Sequence, residues 1–231
     1  MKMAVYTNIQ RVSALVCRAW ETCAAALPAL ELVVRTADGM ESWRSFEEKA
    51  NLCLFFWMGT GLDNPFLQQA SRSLQKSRAP HLILVDNAEH DKVSYGFAWQ
   101  YFRCDGEENM KNFLLHLAKK FGLSAEPEPP RTLPWHGIYH PDWHGDCQDI
   151  EGYHAAHCRD DRRTIGVIFY RSEWIAGDFT YHTALIRAIE AQGLNAVAVF
   201  SNSYRDERVE SPTLFNAMKR YFCCEGETVV D

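Results

Sequence analysis

Between residues 136 and 158 the chain gathers five of its nine histidines, His136, His140, His144, His154 and His157. Cys147, Cys158, Asp142 and Asp146 lie among them. Imidazole, thiolate and carboxylate together suit a borderline transition ion such as zinc or cobalt. A ligand set drawn from His136, His140, His144, Cys147, His154 and His157 is therefore one expectation. The spacing matches no zinc-finger pattern, and Pro141 keeps His136, His140 and His144 from lining one regular helix. The other reading is a crossing segment whose histidines bond backbone groups or face water, and both stay open at this level.

A second chemical feature runs from Tyr170 to Asp178. It leaves the carboxyl end of one apolar run, residues 164–170, and feeds a helical pattern over residues 179–192. In open α/β sheets ligands bind at such places, aided by unpaired N–H groups and the helix dipole. Arg171 and Ser172 are suited to a carboxylate or phosphate, with Asp178 expected as the helix N-cap. Met58-Gly-Thr-Gly61 also joins a strand to a helix, but a lone GxG without its third glycine or an acidic partner reads as a tight turn. Cys223 and Cys224 read as adjacent thiols at a helix end.

The elements that must position these groups follow from periodicity. A short strand over residues 3–6 precedes a helix over 12–27, where Val12, Leu15, Val16, Ala19, Trp20, Cys23, Ala24 and Leu27 form one apolar stripe. Apolar runs at 30–34, 52–57 and 81–85 have strand length without clean alternation, as strands buried on both faces do. Asn64-Pro65 opens a helix carrying Phe66, Leu67, Ala70 and Leu74. Another helix spans 109–121 and stops at Gly122. Four prolines within residues 124–134 read as an extended linker. Residues 135–161 look irregular. Beyond them a strand (164–170), a helix with Leu185, Ile186, Ala188 and Ile189 toward the sheet, and a strand (195–200) make one right-handed βαβ unit. A helix over 212–222 follows, and Thr228-Val-Val-Asp231 reads as the start of a further strand.

Alternating strands and helices predict an α/β fold of two Rossmann/flavodoxin-like parallel-sheet units. The expected domains are residues 1–124, a Pro-rich linker over 125–135, and an incomplete second domain, 136–231, with the His-rich stretch leading into the βαβ unit. The 231 residues carry 24 basic and 30 acidic groups, a net charge of −6, with no basic run. That balance argues against nucleic acid and anionic membranes as partners. No apolar run is long enough to span a bilayer, and the first residues lack a signal-peptide core. Eight cysteines without CxxC spacing read as reduced thiols, so a cytoplasmic location is expected.

Three stretches, in order, resemble a known family. They are Tyr101-Phe-Arg-Cys-Asp-Gly-Glu-Glu-Asn109, Gly137-Ile-Tyr-His-Pro-Asp142, and Ile165-Gly-Val-Ile-Phe-Tyr-Arg-Ser-Glu-Trp-Ile-Ala-Gly-Asp178 continuing to Gly193-Leu-Asn-Ala-Val-Ala-Val-Phe-Ser201. The pattern resembles the N-terminal part of the large subunit of class I tetrapyrrole metal chelatases, which include CobN of cobaltochelatase and the H subunit of magnesium chelatase. Ser201-Asn-Ser-Tyr-Arg-Asp206 is closer to the cobaltochelatase branch. The resemblance implies a tetrapyrrole-binding subunit, with cobalt or magnesium as substrate ion, no firmly bound cofactor, and ATP hydrolysed on AAA+ partner subunits. It further implies that a piece of this length does not insert metal alone. Tyr139, His140, Asp142, Arg171, Ser172, Trp174, Gly177 and Asp178 are the expected ligand-binding residues, a planar carboxylate-bearing ring being clamped by Arg and aromatic faces. His144, His154 and His157 depart from the family pattern. The alternatives are a free-standing flavodoxin-like module binding a small anion or a metal ion, and a docking module for a partner subunit.

Overall fold

A computed structural model describes residues 1–36, 49–57, 65–77, 80–85, 98–202, 211–224 and 227–230. The Met58–Gly61 turn, the Asn64 cap, most of the Ser201–Asp206 pattern and the side chain of Cys224 fall outside the described residues. The chain divides into two compact units, Met1–Arg131 and Thr132–Asp231.

In the first unit β1 (Lys2–Thr7), β2 (Glu31–Thr36), β3 (Leu52–Trp57) and β4 (His81–Val85) form a wholly parallel sheet in the order β2-β1-β3-β4. Every residue of β3 is buried, and the two faces of the strand divide its side chains. Leu52, Leu54 and Phe56 pack with the stripe of α1 (Gln10–Cys23) and with α4 (Glu107–Lys120), whereas Cys53, Phe55 and Trp57 pack with α2 (Pro65–Ser77). Helices on both faces account for the missing alternation in the sequence. A 3₁₀ turn, Ala24–Ala26, ends α1, and α3 (Ala98–Cys104) precedes α4.

The proline-rich segment is extended but tied down. Asn109 and Asn112, three residues apart on α4 and both buried, face it with their carboxamides. Asn109 accepts from Arg131 N and donates to Arg131 O at 2.8 Å each, and Asn112 accepts from Glu128 N at 2.8 Å. The Tyr101 hydroxyl donates to Glu128 O at 2.6 Å. Two side-chain amides thus stand in for a neighbouring strand, satisfying backbone groups that prolines on either side leave without a ladder.

The second unit has a three-stranded sheet in the order β5-β7-β6. β6 (Thr164–Tyr170) and β7 (Asn195–Ser201) are parallel in unbroken register, Thr164 opposite Asn195 through Tyr170 opposite Ser201. β5 (His136–Tyr139) runs antiparallel to β7, so the stretch expected to be irregular supplies an edge strand and, further on, α5 (Ile150–His157). Asp149 caps α5 by accepting from Gly152 N at 2.9 Å. Alternate residues of β7 serve opposite layers. Val197 and Val199 pack with Tyr153 of α5 and with Ala217, Tyr221 and Phe222 of α8 (Leu214–Phe222), while Ala196, Ala198 and Phe200 pack with Ile186 of α7 (Thr180–Ala191). On α7, Ile186 is buried and Ile189 partly buried, but Ala188 is exposed, against expectation. Glu227–Thr228 (β9) pair antiparallel with Cys223–Cys224 (β8), forming a short hairpin where a new strand was expected to begin.

Candidate functional site

The expected ligand loop between β6 and α7 is mostly helical. Residues Arg171–Ala176 form α6, ended by Gly177 in the left-handed region (φ +70°), which glycine enters at little cost. Tyr170 N donates to the Glu173 carboxylate at 3.2 Å and fastens the start of this turn. Asp178 is exposed, and the cap of α7 is Phe179 without any side-chain bond, so Asp178 does not cap that helix.

Arg171 requires the largest correction. Its side chain is buried, with Nε donating to Pro134 O at 2.8 Å and Nη2 to Leu133 O at 3.2 Å. The guanidinium lies 4.2 Å over the Trp135 ring. It points into the unit. Carbonyls of the proline-containing lead-in to β5 lack strand partners, and the planar guanidinium fork supplies donors that match them. Trp174 is also turned inward, stacked on Phe200 at 4.2 Å and 12°. Ser172 is half-buried and Gly177 exposed. Tyr139 stacks on Phe179 at 4.0 Å, and its hydroxyl lies 2.8 Å from Thr183 Oγ1.

His140 and Asp142 do come together, in a closed ring with two residues of α7. Asp142 N donates to His140 Nδ1 at 3.2 Å, which places the ring proton on Nε2; Nε2 then donates to Glu190 Oε1 at 3.0 Å. Arg187 closes the circuit, giving one bond to Glu190 Oε2 (2.9 Å) and two to the Asp142 carboxylate (2.7 Å each). The Arg187 bond holds the Asp142 carboxyl below the usual carboxylate range. Burial pushes Glu190 up, but bonds from His140 and Arg187 outweigh it and the net direction is down. Both ring nitrogens of His140 are thereby committed to this lock between the turn after β5 and helix α7.

The remaining histidines do not converge. His157 lies 4.3 Å from the His140 ring and stacks on Tyr153 at 5.1 Å, with Trp143 edge-on. His136 Nδ1 sits 2.9 Å from the Tyr221 hydroxyl, whose ionisation burial pushes up to about 12. His144 is exposed, and His154 Nε2 is buried without a hydrogen-bond partner. Burial first, then Asp146, raises the Cys147 thiol, so it stays protonated near neutrality. Among the described residues no three His, Cys, Asp or Glu side chains are grouped to hold a metal ion. The six expected ligands are instead distributed among stacking, hydrogen-bonding and exposed positions.

Sequence reasoning missed His182 and Glu173. His182 is buried against Phe169 (4.1 Å between rings), with Nε2 3.3 Å from Glu173 Oε2 and Nδ1 without a hydrogen-bond partner. Its place four residues before Ile186 on the sheet-facing stripe of α7 was the available signal.

Acidification should loosen the second unit before its carboxylates titrate. Burial, and then Arg220, lowers the His136 pKa; burial lowers His154; burial, and then His140, lowers His157. The unfolded chain takes up these protons near the ordinary histidine value of about 6.5, and the folded chain only at lower pH. The unfolded state therefore binds more protons, and stability is lost as pH falls through and below that value. The urea midpoint, followed at constant m-value, should be lower near pH 5.5 than near pH 7.5; a flat profile would contradict the burial of these imidazoles.

Strands with helices on both faces define the class, an α/β protein with one wholly parallel sheet and a second, smaller mixed one. Comparison with known proteins then identifies the group. The CobN/Magnesium Chelatase family profile matches residues 99–231, more than half of the chain. The chain belongs to this family. It is 35% identical over 169 residues to the uncharacterized protein MJ0908 of Methanocaldococcus jannaschii, covering 72% of this chain and 13% of that protein. It is 30% identical over 116 residues to the aerobic cobaltochelatase subunit CobN of a Sinorhizobium species, covering 47% of this chain and 9% of that protein. The fold is similar to the catalytic subunit of cobaltochelatase from Mycobacterium tuberculosis, with a TM-score of 0.51 and 14% identity over 90% of this chain and 17% of that one. The chain thus spans about a tenth of the length of these curated relatives. No described helix is long and apolar enough to cross a membrane.

Proposed function

We propose that the chain is the N-terminal part of the tetrapyrrole-binding large subunit of a cobalt or magnesium chelatase, one that works with AAA+ subunits hydrolysing ATP and does not insert metal alone. Membership of the CobN/magnesium chelatase family over residues 99–231 carries this reading. The curated relative with a named role is a cobaltochelatase subunit, which favours cobalt and a corrin-type ring. Tyr170 and Tyr181, on either side of α6, are 60% and 72% exposed, and aromatic faces of that kind suit a flat macrocycle. With Arg171 and Trp174 turned inward, Tyr170, Ser172, Tyr181 and the Asp142–Arg187 pair are the groups left for contact. The acidic balance is in keeping with a small-molecule substrate and no nucleic acid.

Titration of the purified chain with a corrin or a porphyrin tests this. Binding should shift the ligand's absorbance or quench protein fluorescence, and Tyr170→Ala with Tyr181→Ala should weaken the signal without lowering the unfolding midpoint. A titration that leaves both spectra unchanged would remove substrate contact from this part of the subunit.

A further inference from the structure

β6 is an edge strand of an unusual kind. Among the described strands its only neighbour is β7, yet its seven residues, Thr-Ile-Gly-Val-Ile-Phe-Tyr, include no charge and no proline. Its register with β7 has no bulge. Edge strands that face water are normally blunted by such devices. Ile168 is 38% and Tyr170 60% exposed, while every residue of β7 beside them is buried. β5, at the opposite edge, is only four residues long.

The connections indicate which side the sheet grows on. The crossover from β6 to β7 carries α7 on the face of Ala196, Ala198 and Phe200, and α8 after β7 lies on the opposite face with Val197 and Val199. Parallel crossovers share one hand. A helix on the opposite face must therefore lead to a strand in the opposite direction from β7, past β6. The chain is already heading there. After the β8–β9 hairpin, Val229 N donates to Phe222 O at 2.8 Å, and Val230 Cγ2 comes within 3.0 Å of where a Cβ on Gly166, the third residue of β6, would sit.

We infer that β6 is the acceptor for one more parallel strand, supplied by the segment of the large subunit that follows Val230, giving the order β5-β7-β6 and then the new strand. The inference rests on the chain being part of a longer subunit, as its span of 13% and 9% of its relatives suggests. With that strand in place the winding reverses beside β6, and Tyr170 and α6 lie at the mouth of the resulting crevice, where open α/β sheets take their ligands.

Amide hydrogen exchange tests it on two proteins, the 231-residue chain and the same chain extended by roughly 40 of the residues encoded after it, ample for one strand, since α8 already supplies the crossover helix. The outward-facing amides of β6 should exchange on the order of 100-fold more slowly in the extended protein. Ile168→Lys should leave the urea midpoint of the 231-residue chain unchanged and lower that of the extended one. Equal exchange of β6 in both proteins overturns the added strand while leaving the chelatase reading intact. A reading frame that ends at Asp231 overturns both. Protection of β6 without any tetrapyrrole response would sustain the strand and count against substrate contact alone.

Discussion

Arg171→Met should lower the stability of the second unit by about 3 kcal/mol, the combined loss of two hydrogen bonds from a charged donor and a cation–π contact. The substitution keeps an apolar stem of similar length but leaves the Leu133 and Pro134 carbonyls without these donors and the Trp135 face bare. Arg171→Lys should not rescue it, because a single ammonium cannot span both carbonyls and lie flat on an indole. Urea unfolding at unchanged m-value, with amide exchange read separately over residues 132–231, locates the effect. A tetrapyrrole-binding defect in Arg171→Met with an unchanged midpoint would return Arg171 to the ligand site.

Phe200→Ala should cost more, about 4 kcal/mol, within the range of buried Phe-to-Ala changes. Phe200 is fully buried, stacked against Trp174 and edge-on to Phe169 at 6.3 Å. A Cβ on Gly137 would meet its ring at 2.8 Å, so β5 passes close over it. It joins β5, β7, α6 and the α7 layer, and the cavity left by its removal opens between elements that only partly relax. Phe215→Ala is the control: Phe215 is 70% exposed on α8, and its removal should change the midpoint by less than about 0.5 kcal/mol. Equal costs for the two substitutions would mean that the second core is loosely packed.

The sequence carried most of the fold because its strongest signals are local. β3, β6 and β7 are uninterrupted apolar runs, and α1 and α7 repeat apolar residues every three or four positions. β5 and α5 were not legible. Four residues, His-Gly-Ile-Tyr, have no period to read, and what makes them a strand is the backbone of β7, sixty residues downstream. α5 has almost no apolar stripe, and only Tyr153 is buried. α6 was missed because six residues scarcely make a helix without Gly177 to end it. For the site, residue types were informative but directions were not. Arg171 was singled out to hold a carboxylate or phosphate, and nothing local says that its partners are the carbonyls of residues 133 and 134. His140 and Asp142 were paired from their motif, while the Arg187–Glu190 half of the ring needed α7 to be docked in place.

The seating of the proline-rich segment has a practical meaning for taking the chain apart. Composition marks residues 124–134 as spacer, where a cut or a length change ought to be harmless. Yet Asn112 and Asn109 count off Glu128 and Arg131 one after the other, and Arg171 claims Leu133 and Pro134 immediately beyond. One deleted residue would put every later amide out of step with its partner. The seam for dissection is therefore only the two peptide bonds flanking Thr132: a first fragment needs its tail through Arg131, and a second must begin no later than Leu133.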